Sequence, residues 1–176
     1  MHIVITRPKE DSLYLMENLI KLGYTATHLP VIKIEKLETK KIDLFNYQAV
    51  IFTSSNAIRF MNIEKFNSKI KCFCVGKATE FTAKQVGFIN TYTSEGTVDT
   101  LIELIIRTLN NKSEKLLYLS SEFISKDLDK NLVKEGYLVD RISNYTSIPV
   151  GEIDKKTLDF FKKKPPDVIF IYSSRS

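Results

Sequence analysis

Apolar runs of strand length alternate along this chain with stretches of helical period. Residues 2–6 form a short apolar run, and residues 8–22 then carry Leu13, Met16, Leu19 and Ile20 at helical spacing before Gly23 and Tyr24. A strand, a helix and a glycine stop are predicted in that order, with a second strand through residues 25–34. Residues 49–55, Ala-Val-Ile-Phe-Thr-Ser-Ser, have the continuous apolar character of a buried strand and end in small hydroxyl residues. Beyond them the pattern predicts a helix from residue 57 past residue 60, a strand at 70–75, a helix at 78–85 stopped by Gly87, a strand near 90–93 and a helix at 98–109. A strand at 115–119, a helix at 124–134 with Leu128 and Leu132 on one face, a stop at Gly136-Tyr137 and a strand at 138–144 follow.

The opening pattern returns. Ile5 to Tyr24 covers the same interval as Tyr118 to Tyr137, and Leu-Ile-Lys-Leu-Gly-Tyr in the first copy faces Leu-Val-Lys-Glu-Gly-Tyr in the second. Each copy leads through a polar, Lys-rich stretch into a buried-strand run, residues 49–55 in one case and 167–174 in the other. This reads as an internal duplication. The first copy continues through further helices and strands where the second stops at Ser176, so a strand-helix-strand-helix tail is expected to be missing. Strands alternating with helices imply an α/β fold with parallel sheets, helices on both faces and ligands beyond the carboxyl ends of the strands.

Composition narrows the picture. A chain of 176 residues, 43% of them hydrophobic, can bury one good core or two small ones. No apolar run approaches the roughly 20 residues that cross a bilayer, and the N-terminus runs straight into a strand, so a cytoplasmic protein with no membrane association is expected. Cys72 and Cys74 fall on one face of one strand and are expected as buried, unpaired thiols. His2 and His28 show no paired spacing, and no metal is expected. The net charge of +5 suits an anionic partner. Its densest Lys runs, 33–41 and 155–164, are mixed with acids in the manner of a solvated face or linker, and the Arg-aromatic interleaving of nucleic-acid platforms is absent. Neither Gly-x-Gly-x-x-Gly nor Gly-x-x-x-x-Gly-Lys-Ser/Thr occurs, which argues against NAD and ATP.

Four predicted strand ends carry residues suited to an anion: Thr6-Arg7-Pro8, Thr53-Ser54-Ser55-Asn56, Val75-Gly76-Lys77-Ala78-Thr79 and Ser173-Ser174-Arg175. The first three open helices, whose unpaired N–H groups attract carboxylates or phosphates. Each is also explained by plain helix capping, and Gly76 by a tight turn. Four on one edge favour a shared ligand. Tyr145, at the end of the 138–144 strand, is either a half-buried aromatic at a lobe boundary or a hydroxyl donor to a leaving group. Ser94-Glu95-Gly96-Thr97 reads as a capping segment.

Taken in order, Ile5-Thr6-Arg7-Pro8, Gly23 with Leu29-Pro30, Ile51-Phe52-Thr53-Ser54-Ser55-Asn56-Ala57, Val75-Gly76-Lys77-Ala78-Thr79, Ser94-Glu95-Gly96, Gly136 and Tyr145 extend over essentially the whole chain. In these motifs the chain resembles uroporphyrinogen-III synthase, the cyclase of tetrapyrrole biosynthesis. The resemblance implies two flavodoxin-like α/β lobes with parallel sheets, joined by a two-stranded connection. The inner lobe would be residues 36–145, and the outer lobe residues 1–35 and 146–176, incomplete at its C-terminal part. It implies a monomer that binds hydroxymethylbilane, a linear tetrapyrrole with eight carboxylates, between the lobes. The enzyme expels the terminal hydroxyl as water, closes the ring and inverts the last pyrrole, without a cofactor. By position, Thr53, Ser54, Ser55, Gly76 and Thr79 would hold substrate, with Arg7 near the cleft, Ser173 and Ser174 contributing from the outer lobe, and Tyr145 assisting loss of hydroxide.

The chain departs from the family pattern at Ser120-Ser121, where a more basic or Gly-containing turn is expected, and at the missing tail, which would leave this chain inactive or poorly active. A receiver-type signalling module is disfavoured because its acidic strand ends are replaced by Thr-Arg-Pro and Thr-Ser-Ser. A non-catalytic binder of a small anion shares every strand-end feature and differs only in lacking turnover. A nucleic-acid binder would instead show steeply salt-dependent retention on DNA.

Overall fold

The computed structural model describes residues 1–171. The chain begins with β1 (His2–Ile5), α1 (Lys9–Lys21), β2 (Thr25–His28) and β3 (Ile32–Lys36). It continues through β4 (Ile42–Asp43), a 3-10 turn at Leu44–Asn46, β5 (Ala49–Phe52), α2 (Ser55–Arg59), β6 (Ile63–Lys65), β7 (Lys71–Val75), α3 (Lys77–Gln85) and β8 (Asn90–Ser94). Then come α4 (Val98–Thr108), β9 (Lys115–Ser121), α5 (Leu128–Lys134), β10 (Leu138–Pro149), α6 (Lys155–Lys163) and β11 (Val168–Phe170). The chain divides into two compact units, one of Met1–Glu35 with the chain from Ser147 on, the other Lys36–Thr146. Both crossings fall inside strands, β3 and β10. The protein is α/β with parallel sheets, as the alternation of its apolar runs predicts.

The larger unit is organised on parallel strands in the order β10-β9-β5-β7-β8. Central β5 is wholly buried, which explains its unbroken apolar sequence. Ile51, Phe73 and Tyr118 pack with Leu101 and Ile105 of α4 and Leu128 and Leu132 of α5 on one face. On the opposite face Phe52 meets Phe88 edge-on, with ring centroids 5.7 Å apart. Cys72 and Cys74 are buried, unpaired thiols with sulfurs 3.7 Å apart. The neighbouring Cys74 sulfur, followed by burial, pushes the Cys72 thiol far up, so it stays protonated and inert.

The smaller unit has the parallel sheet β11-β1-β2, with Ile3 and Ile5 packed against Leu15, Met16 and Leu19 of α1. The inward stripe of α1 is therefore Ser12, Leu15, Met16 and Leu19, while Leu13 and Ile20, placed on it by spacing alone, are exposed. Ser12 is tolerated inside because its hydroxyl donates to the Pro8 carbonyl at 2.9 Å.

The duplicated pattern corresponds to a duplicated structure. In both β1-α1-β2 and β9-α5-β10 the helix ends with the same paired hydrogen bonds: Gly23 N–H to Ile20 and Tyr24 N–H to Leu19, against Gly136 N–H to Val133 and Tyr137 N–H to Leu132. That is the Schellman stop, and it explains why Gly-Tyr follows each helix at the same interval.

Several local expectations change. The strand predicted over 25–34 is two strands: the β1–β2 pairing ends with Leu29 N–H donating to the Ile5 carbonyl, and Pro30 has no N–H to carry the ladder on. The helix predicted from residue 124 starts at Leu128; the segment before it is a loop. Strand β10 extends to Pro149, five residues beyond the expected end. The short strands β4 and β6, paired with each other, lacked any apolar run to announce them. The Lys-rich stretch 155–164 forms α6, capped by Asp154, whose carboxylate accepts from Thr157 N–H at 3.0 Å; the helix buries none of its residues. The run 167–174 does not yield a buried strand among the described residues: β11 pairs there with β1 alone, and Ile169 is 53% exposed.

Gly76 caps α3 with φ 76° and ψ 153°, a region that side chains with a Cβ avoid. A Cβ there would meet nothing within 4 Å, so the penalty of a substitution is purely conformational. Gly76→Ala is expected to lower unfolding free energy by about 1–3 kcal/mol, read from the midpoint of a urea transition at unchanged slope.

Candidate functional site

A hollow of about 230 Å³ lies at the carboxyl ends of the central strands of the larger unit. β5 ends into it with Thr53 and Ser54, β9 lines it with Tyr118 and its last residue Ser121, and β10, which runs on to Pro149, passes it at Tyr145. The segment between β9 and α5 contributes Ser125 and Lys126 along with the apolar side chains of Phe123 and Ile124. Val75, Gly96 and Val98 complete the wall. Among the described residues Lys126 is the one charged group in this lining, and the rest is hydroxyl, aromatic and aliphatic.

The hydroxyls are held in place by local structure. The hydroxyls of Thr53 and Tyr118 lie 3.3 Å apart, joining β5 to β9. Burial raises the Tyr118 hydroxyl above its ordinary value, so it remains a neutral donor throughout the physiological range. Ser54 is the N-cap of α2, its oxygen accepting from Asn56 N–H at 3.2 Å. Tyr145 is only 8% exposed and sits where the β9–β10 register shifts between Ser143 and Tyr145, an irregularity that re-aims the side chain toward the hollow. Beside it, fully buried Asn144 donates to the Ala57 carbonyl of α2 at 2.7 Å and its own backbone carbonyl accepts from Leu37 N–H. One residue thus ties the strand behind Tyr145 to the helix behind Ser54.

The β9–α5 segment has its own clamp. Arg141 on β10 donates from Nε to the Ser120 hydroxyl at 2.9 Å and from one terminal nitrogen to the carbonyls of Ser121 and Glu122 at 2.9 and 3.0 Å. Glu122 N–H in turn donates to the Tyr145 carbonyl at 2.9 Å. At the Ser120-Ser121 turn, where a more basic or Gly-containing sequence is expected, a basic side chain reaches in from the adjacent strand. Held by a hydroxyl and two backbone carbonyls and by no carboxylate among these partners, the guanidinium places positive potential beside Tyr118.

Of the residues singled out by sequence, Thr53, Ser54 and Tyr145 meet in this hollow. Ser55 opens α2, with its hydroxyl 3.4 Å from the Ala78 carbonyl; Gly76 caps α3; Thr79 is buried within α3; none of these three lines the hollow. Arg7 belongs to the smaller unit, at the end of β1, where its carbonyl accepts from His28 Nε2 at 2.8 Å. Ser173 and Ser174 lie outside the described residues. Sequence reasoning passed over Tyr118, Ser125, Lys126 and Arg141 as site residues, and named Ser121 only as a departure from the family pattern, although its strand ends in hydroxyls as residues 53–55 do. Among the described residues no group of three or more His, Cys, Asp or Glu side chains could hold a metal, and no helix is long and apolar enough to cross a membrane.

The class is that of an α/β protein whose parallel strands surround a hydroxyl-lined hollow, with no acid among the described residues of its wall, an arrangement chemically able to accept carboxylates. The family model described as uroporphyrinogen-III synthase HemD matches residues 15–176, and the chain belongs to that family. The porphyrin biosynthesis protein HemD of Ruminiclostridium josui is 27% identical over 168 residues, covering 88% of this chain and 33% of that protein. The chain thus spans about a third of the length of this curated relative. Uroporphyrinogen-III synthetase of Helicobacter pylori 26695 superimposes with a TM-score of 0.61 at 18% identity, over 96% of this chain and 72% of that one. A mutant uroporphyrinogen III synthase of the extremely thermophilic bacterium Thermus thermophilus superimposes with a TM-score of 0.55 at 14% identity, over 96% and 71%. At such identities the two structures speak to the fold, which is shared.

Proposed function

We propose that this chain acts in uroporphyrinogen-III synthesis, cyclising hydroxymethylbilane with loss of water and inversion of the last pyrrole ring. Within a chain of this family, the observation that carries the reading is the hollow itself: three neighbouring strands present hydroxyls to a space whose described lining holds one lysine and no acidic residue. A substrate bearing eight carboxylates would be repelled by an acidic site and trapped by a strongly basic one; neutral donors hold it and still release product.

The division of labour follows from position. Thr53, Ser54, Ser121 and Ser125 donate hydrogen bonds that fold the linear substrate, which lowers the entropic barrier to closing its ring. Tyr145 donates a proton to the departing hydroxyl, and the Thr53–Tyr118 pair keeps the wall beneath it rigid. The reaction consumes no oxidant and needs no metal, so the reading includes no cofactor. It also describes a cytoplasmic monomer with no nucleic-acid partner.

The test is turnover. Anaerobic incubation of the chain with enzymatically generated hydroxymethylbilane, followed by chromatography of the oxidised products, should show the ring-inverted isomer above the uncatalysed background. Tight binding of the substrate with only the uninverted isomer formed would reduce the protein to an anion-binding module.

A further inference from the structure

Lys126 extends from the β9–α5 segment into the hollow's lining, and its ammonium is paired with the carboxylate of Asp99, in the first turn of α4. Both side chains are about half exposed, 51% and 56%, so the pair is solvated on one side and weak, as exposed ion pairs are. Asp99 does not depend on Lys126. It lies at the N-terminus of an eleven-residue helix capped by Thr97, where the helix dipole and water stabilise a carboxylate that has lost its partner. The Lys126 segment is held at one end by Arg141 on the carbonyls of Ser121 and Glu122 and at the other by Leu128 N–H on the Lys126 carbonyl at 3.0 Å, so the ammonium can exchange partners by side-chain rotation.

We propose that Lys126 is a substrate-carboxylate ligand and that Asp99 is its built-in competitor, so that the ion pair opens when a carboxylate enters the hollow and re-forms when product leaves. The inference rests on the functional reading above and adds to it a mechanism of release. An octacarboxylate product held by an unopposed lysine leaves slowly; a neighbouring acid that reclaims the ammonium limits the residence time. Among the described residues Lys126 is the one cation in the hollow's lining, so a salt-dependent part of binding there passes through this pair.

The experiment is anaerobic titration of uroporphyrinogen III into the unmodified chain, Lys126→Gln and Asp99→Asn, each across a series of salt concentrations. Both sites are exposed enough that the variants should fold, and circular dichroism checks this. Lys126→Gln is expected to weaken binding about tenfold and to flatten its salt dependence. Asp99→Asn is expected to tighten binding about threefold and slow release, because it removes the competitor and a nearby negative charge. Equal affinity and equal salt dependence in Lys126→Gln would overturn the proposal, as would weaker or unchanged binding in Asp99→Asn. Failure of the unmodified chain to bind the probe would overturn the functional reading and this inference together, whereas binding that ignores both substitutions overturns the inference alone.

Discussion

Tyr145→Phe is expected to lower kcat for ring closure by about a hundredfold, with KM and melting temperature nearly unchanged. The reasoning starts from leaving-group chemistry. Hydroxide departs poorly unless protonated, and Tyr145 presents the hollow with a phenol whose described neighbours in the lining include no carboxylic acid. The ring of Tyr145 is almost fully buried, so Phe fills the same volume and deletes only the hydroxyl. Its backbone stays fixed by the hydrogen bond from Glu122 N–H and by the buried Asn144 beside it. The same assay that reports turnover reports the isomer ratio. A variant that slows formation of the inverted ring while the uncatalysed isomer accumulates assigns the lost step to the protein. A rate equal to that of the unmodified chain removes Tyr145 from the chemistry and leaves Tyr118, the other phenol of the hollow, as the donor to test.

How far the sequence reveals such a site depends on whether the interaction is local. The hydroxyl endings at residues 53–55 and the glycine stops at Gly23 and Gly136 are legible because they obey neighbour rules: a strand must end and a helix must be capped within a few residues. Repetition likewise makes the two β-α-β halves visible from the chain alone. Arg141 is different in kind. Nothing around it in the chain marks it, since its partners are some twenty positions away on the adjacent strand. The turn at Ser120-Ser121 looks deficient in charge until that strand is beside it. The helix predicted from residue 124 fails for a related reason. Ile124 has helical spacing with Leu128, yet the segment before Leu128 is committed to the hollow and the clamp, and tertiary contacts override the local preference. Spacing alone also put Leu13 and Ile20 on the wrong side of α1, because an amphipathic helix rich in leucine and isoleucine offers more than one apolar stripe and only the sheet decides which is used.

That dependence on a distant strand makes Arg141→Met the most informative structural variant. Methionine keeps much of the aliphatic bulk and removes all three hydrogen bonds, leaving the carbonyls of Ser121 and Glu122 without those donors. Charge-assisted bonds of this kind contribute more than neutral ones, so a loss of about 2–3 kcal/mol in unfolding free energy is expected. The functional loss should exceed what stability explains. Freed of its clamp, the segment carrying Ser121, Ser125 and Lys126 samples other positions, and binding must first restore the competent one. KM should therefore rise about tenfold while kcat falls less. Arg141→Lys separates geometry from charge: an ammonium cannot span a hydroxyl and two carbonyls as the guanidinium does, so it should rescue little of either quantity. Full rescue by lysine would show that positive potential near Tyr118, rather than the clamp, is what the arginine supplies.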